Sequence, residues 1–151
     1  MKQIKSISTA IEGRPVIISV RGEQYFEDMD PDSTELITEG LLAETAEGFL
    51  LSYAESQLTG MEGTTTTFEI RGRQVILTRS GTVNSQMIFE QGRQNTSLYE
   101  TPYGELTVDI GTSLLAHTLH AGGGDLEIQY SIAVEHTVTG RNCFKISVKE
   151  K

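Results

Sequence analysis

The chain is short of the residues that crosslink, span a bilayer or grip nucleic acid. Its one cysteine, Cys143, leaves no intrachain disulfide to form. Twelve Lys and Arg stand against 21 Asp and Glu, a formal net charge of −9. Neutralising nucleic-acid phosphates takes clustered cations, and here they are dispersed, which argues against DNA or RNA as a general partner. The same deficit argues against an anionic membrane surface. No apolar run approaches the roughly 18 residues of a membrane span. Met1-Lys2-Gln3-Ile4-Lys5 leads into polar residues, not into the apolar stretch of a signal peptide. A cytoplasmic protein is the simplest expectation. Helical periodicity is missing as well: Leu41-Leu42-Ala43-Glu44 and Ser113-Leu114-Leu115-Ala116-His117 are short candidates and no more.

What is present is alternation. Hydrophobic residues make up 37% of 151 positions, enough for one core when spread over alternating strands. Residues 1–13 are mixed and read as an edge strand or an arm; residues 14–151 read as one β domain. Pro15 suits a strand's first position, ahead of Val16-Ile17-Ile18-Ser19-Val20. An acidic break, Glu27-Asp28-Met29-Asp30-Pro31-Asp32-Ser33, separates it from a strand over Thr34–Thr45, where Gly40 suggests a bulge or sharp bend. Short glycine turns then punctuate the chain at Ala46-Glu47-Gly48, Gly60 to Gly63, Arg71-Gly72-Arg73, Gly81, Gln91-Gly92-Arg93 and Thr101-Pro102-Tyr103-Gly104. Gly111 interrupts a strand begun at Glu105, and Ala121-Gly122-Gly123-Gly124-Asp125 is the strongest turn. Leu126, Ile128, Tyr130, Ile132 and Val134 alternate most cleanly, and Thr139-Gly140-Arg141-Asn142 reads as the last turn. Roughly eight to ten strands with short turns imply an all-β, up-and-down antiparallel fold that hides its edges most readily by closing into a barrel.

The central stretch is Tyr53 to Ile70. Phe49, Leu51, Tyr53 and Glu55 share one strand face, because side chains alternate with a period of two. Four consecutive threonines, Thr64 to Thr67, favour the extended chain that follows, since β-branching restricts χ1. If Tyr53 points inward, so does the Glu55 carboxylate. Arg79 shares parity with Val75 and Leu77 in the same way. A lone buried charge is costly, so the two are expected either to pair, to reach solvent at strand ends, or to anchor a small anionic or zwitterionic ligand.

The run Ser52-Tyr53-Ala54-Glu55-Ser56-Gln57-Leu58-Thr59-Gly60-Met61-Glu62-Gly63-Thr64-Thr65-Thr66 resembles the signature of the YwiB-like family of bacterial proteins. Two further stretches resemble its later signatures in order: Gly81-Thr82-Val83-Asn84-Ser85-Gln86-Met87-Ile88-Phe89-Glu90 and Tyr99-Glu100-Thr101-Pro102-Tyr103-Gly104. Gly124-Asp125-Leu126-Glu127-Ile128-Gln129-Tyr130 fits too. The resemblance implies a calycin-like barrel, related in shape to lipocalins. It implies no activity, because that family is one of unknown function.

Within those signatures Asn84, Gln86, Tyr99 and Tyr103 are candidate lining of a ligand mouth, tyrosine joining an apolar ring to a hydroxyl. The plainer alternative is cross-strand pairing and a Pro-Gly turn. His117 and His120, three apart, fall on opposite faces of a strand, so no metal site is expected. There is no Gly-x-Ser-x-Gly elbow and no phosphate loop, and Gly122-Gly123-Gly124 precedes no helix. The expectation is a non-enzymatic barrel without cofactor that binds a small ligand inside. The alternative is a protein-interaction or homodimerising module whose barrel is filled, with Phe49, Phe68, Phe89 and Phe144 as the filling.

Overall fold

Alternating apolar residues in runs of six to fourteen form ten antiparallel strands. The computed structural model describes residues 13–25, 30 and 32–151, with the backbone alone for residues 99–101 and 139. The expectation for residues 1–13 therefore falls almost wholly outside the described residues. The strands are β1 (Arg14–Tyr25), β2 (Asp32–Glu44), β3 (Gly48–Ala54), β4 (Thr64–Arg71), β5 (Gln74–Gly81), β6 (Ser85–Glu90), β7 (Gln94–Thr101), β8 (Gly104–His117), β9 (Gly123–Val134) and β10 (Thr137–Glu150). A single 3-10 turn, Gln57–Thr59, sits between β3 and β4.

All ten strands form one sheet in the order β6-β5-β4-β3-β2-β1-β10-β9-β8-β7. Chain neighbours are sheet neighbours except for β6 and β7, and β1 pairs with β10 to join the two halves of the order, the up-and-down connectivity expected of short turns. Strands β6 and β7 end the order and share no ladder. Around the turn that joins them the barrel is drawn shut by Gly92 N–H to Thr112 O (2.9 Å), Thr112 N–H to Arg93 O (3.1 Å) and Leu115 N–H to Gln91 Oε1 (3.0 Å).

The core lies inside. Val16, Ile18, Leu51, Phe68, Ile70, Val75, Phe89 and Ile128 have no exposed surface. Aromatic rings continue from it: Tyr53 stacks on Phe68 at 6.4 Å, Phe68 meets Phe144 edge-on at 5.9 Å, Phe144 stacks on Tyr130 at 5.8 Å, and Tyr130 meets Phe89 at 4.8 Å. Such pairs add to area burial through the ring quadrupole, about 0.5–1.5 kcal/mol each.

Three local expectations need correction. Gly40 is not a bulge, since β1 and β2 stay in register through it. It is a close approach: a Cβ there would meet Ile18 Cδ1 and the Ser52 carbonyl oxygen. Gly111 does not interrupt β8; the irregularity falls between Thr112 and Leu114. Finally, the last turn is not at Thr139 to Asn142, which lie within β10 beside a bulge between Val138 and Gly140. The chain reverses at Glu135-His136, two non-glycine residues at φ +50° and +70°.

Candidate functional site

The turns divide the barrel into two ends. At one end, β2–β3, β4–β5, β6–β7 and β8–β9 turn over a filled core. At the other, β3–β4, β5–β6, β7–β8 and β9–β10 turn around a cavity of about 600 Å³. Roughly 300–1,000 Å³ is the range of small-molecule pockets. An eight-stranded barrel is just wide enough for side chains to fill, and ten strands leave more room. Tyr53, Tyr130 and Phe144 line its inner part, and Leu106, Val108, Ile132 and Val134 make an apolar wall.

Glu55 and Arg79 both line this cavity, as their strand parity implied. They do not pair. Glu55 is buried and both of its oxygens are occupied: Oε1 accepts from Thr59 Oγ1 at 2.9 Å, and Oε2 accepts from Thr66 Oγ1. The local fold explains both donors. In the threonine run Thr64 and Thr66 face inward and are buried, while Thr65 is exposed. Thr64 Oγ1 accepts from Val83 N–H at 3.0 Å and so ties the β5–β6 turn to the barrel wall. Thr59 is delivered by the 3-10 turn, which Ser56 caps by accepting from Leu58 N–H at 3.1 Å and Gly60 ends at φ +76°. The paired glycines thus fold a loop back so that a hydroxyl reaches Glu55.

Arg79 has the opposite status. Its Nε is buried without a hydrogen-bond partner, and no carboxylate among the described residues lies within salt-bridge distance of its guanidinium. Beside it, burial pushes the Tyr53 hydroxyl well above the usual phenol range. Negative charge on Glu55 adds to that shift and the positive charge on Arg79 opposes it. Tyr53 is therefore a neutral hydroxyl at physiological pH.

The other expected lining residues are elsewhere. Gln86 points outward from β6, with Nε2 3.5 Å from Thr78 Oγ1. Cross-strand parity decides this, because Met87 and Phe89 take the inward positions. Asn84 closes its own turn: Nδ2 donates to Gly81 O at 2.9 Å and Oδ1 accepts from Gly81 N–H at 3.2 Å. Tyr103, at the tip of the β7–β8 turn, is 98% exposed. The Tyr99 side chain lies outside the described residues; its backbone pairs with Leu106.

A second polar cluster carried no signal in the sequence. On the outer face Asp109 is covered by its neighbours. Its Oδ1 accepts from Thr96 Oγ1 at 2.6 Å, and its Oδ2 lies 3.0 Å from His136 Nδ1. The Thr96 hydroxyl and then His136 hold the Asp109 carboxyl below the ordinary aspartate range. Thr96 bonds to the carboxylate, not to the imidazole, so its hydroxyl is not placed for activation by a general base. The β9–β10 reversal, with Glu135 and His136 both at positive φ, sets this ring beside Asp109 of β8. No three His, Cys, Asp or Glu side chains among the described residues converge as a metal site. No helix among them is long and apolar enough to cross a membrane.

A nearly closed, ten-stranded antiparallel barrel with one hollow end is a calycin-like barrel. The chain belongs to the family described as Domain of unknown function (DUF1934), whose model matches residues 18–146. Among solved structures it is similar to the crystal structure of the ywiB protein from Bacillus subtilis. The TM-score is 0.83 at 21% identity, covering 95% of this chain and 97% of that one. At that identity the likeness establishes the fold alone. No curated protein matches.

Proposed function

We propose that the protein is a non-enzymatic binding barrel that holds one small molecule in its hollow end. The observation that carries this reading is Arg79: a guanidinium lining a cavity of about 600 Å³, with a buried Nε that nothing among the described residues satisfies. Leaving a buried donor unmade costs about 1–3 kcal/mol, yet the fold gives this guanidinium no carboxylate partner among the described residues, and its terminal nitrogens are the atoms a ligand would engage. Arginine offers a planar fork to a carboxylate or similar anion. The wall of Leu106, Val108, Ile132 and Val134 suits the ligand's apolar body. Glu55, which accepts from Thr59 and Thr66, holds the loop over the cavity. A cytoplasmic setting agrees with the single cysteine, which is free and buried.

Native mass spectrometry of gently purified protein, set against the denatured mass, tests the reading. A small adduct on wild type that Arg79→Met loses is the expected result. Equal adducts on both forms, or none on either, would contradict it.

A second reading has its own support. Ile37 and Leu41 on the outer face of β2 are 67% and 49% exposed. Exposed apolar side chains on one strand face suit association of two copies. Analytical ultracentrifugation tests it: a dimer that Ile37→Lys dissociates supports a homodimer through β2, and a wild-type monomer at high concentration removes it.

A further inference from the structure

The same cavity carries a second charged group without a partner. Asp32 opens β2 at the cavity mouth, with the inward parity of Leu36, and lines the cavity with Arg79. Among the described residues no hydrogen bond or ion pair reaches its carboxylate. Among the described residues the site thus presents a cation without a carboxylate partner in its wall and an exposed carboxylate without a cation partner at its rim. Glu55 is bonded to Thr59 and Thr66, and Glu23, which also lines the cavity, lies 3.8 Å from Lys145 and 4.0 Å from Arg21.

We propose that the ligand is a short apolar peptide with free termini, its carboxylate on Arg79 and its ammonium at Asp32. The inference rests on the small-ligand reading above. Charge decides against a simple anion. The chain carries −9, and the cavity is lined by the Glu23, Glu55 and Asp32 carboxylates against the Arg79 guanidinium, with Glu23 alone offset by Arg21 and Lys145. A bare anion would add charge to a site that is already negative, whereas a zwitterion leaves the total unchanged and answers both groups. Size decides against a single amino acid, because about 600 Å³ is a space for drug-sized ligands. The apolar wall receives the side chains, and Asn142 and Gln24, which also line the cavity, offer amides to the peptide backbone.

Isothermal titration at neutral pH with five probes tests this: leucyl-leucine, its N-acetyl derivative, its C-terminal amide, N-acetyl-leucinamide and free leucine. The expected result is that leucyl-leucine binds at least about tenfold tighter than its C-terminal amide, since a charge-assisted hydrogen bond is worth that much or more, and about three- to fivefold tighter than its N-acetyl form, because Asp32 is exposed. Free leucine binds more weakly than the dipeptide. Asp32→Asn, an exposed rim change, brings the free and N-acetyl dipeptides to within about twofold. Arg79→Met abolishes the advantage of a free carboxylate. If the N-acetyl dipeptide binds wild type as tightly as the free one, the zwitterion is wrong and the small-ligand reading stands. The zwitterion also falls alone if no probe binds while native mass spectrometry shows a non-peptide adduct lost in Arg79→Met. If no probe binds and no adduct is seen, both fall.

Discussion

The two ends of this barrel are built from the same ten strands and do opposite things. At the closed end aliphatic and aromatic side chains leave no surface exposed: Phe68, Ile70, Val75 and Phe89 are completely buried. At the open end the inward positions hold Glu55, Arg79, Thr66 and Asn142, and a cavity remains. Stability and binding capacity separate along the barrel axis. Closed-end side chains are packed to the density of a crystal, so every methylene lost is felt. Open-end side chains leave a cavity between them and keep polar groups at inward positions. A barrel can keep an unsatisfied guanidinium at one end because the other end holds it folded.

Substitutions at each end should break this comparison if it is wrong. The largest effect is expected from Phe68→Ala at the closed end: a loss of about 3–5 kcal/mol in urea denaturation, from lost transfer energy and a residual void. A loss below that range would mean the closed end is not tightly filled. Gly40→Ala comes next. Its Cβ would strike Ile18 and the Ser52 carbonyl, and overpacking of this kind costs about 1–3 kcal/mol. Arg79→Met at the open end is expected to leave stability within about 1 kcal/mol of wild type, or to raise it, because it removes an unmade hydrogen bond. A large loss there would show that Arg79 is structural.

The Asp109 cluster sharpens the picture by its pH dependence. Its carboxyl is held below the ordinary range, so its contribution is fully present above the unfolded aspartate value of about 3.9 and is lost as pH falls through the folded value. Wild type should therefore melt above Asp109→Asn at neutral pH, and the gap should close below about pH 4. A gap unchanged at pH 3 would rule out the carboxylate as its source. The smallest effect is expected from Glu135→Asn. Asparagine tolerates the positive φ of that turn better than glutamate, a gain of a few tenths of a kcal/mol, about 0.3–0.5, seen in the denaturation midpoint.

Much of this was legible in the chain. Alternation and short glycine turns are local signals, so a range of eight to ten strands, their up-and-down connectivity and the shared parity of Glu55 and Arg79 with apolar neighbours followed directly. Two kinds of fact were not legible. The Glu135-His136 reversal lacks turn chemistry, and only the pairing of β9 with β10 forces residues without glycine into positive φ. Gln86 and Asn84 looked like site residues because they sit in a distinctive motif. One faces out because Met87 and Phe89 claim the inside, and the other bonds its own turn. The apolar wall of Leu106, Val108, Ile132 and Val134 was readable as inward-facing, yet nothing local told that the barrel above it stays hollow. That depends on ten strands closing together.

The most direct test of the difference between the ends is methyl NMR on the protein titrated with the low-molecular-weight fraction of a host-cell extract. Shifts are expected at Met61, Met87, Val108 and Val134, with Ile70, Val75, Leu77 and Val148 unmoved. Open-end methyls that stay silent while Ile37 and Leu41 respond would contradict a hollow binding end and turn attention to the outer face of β2.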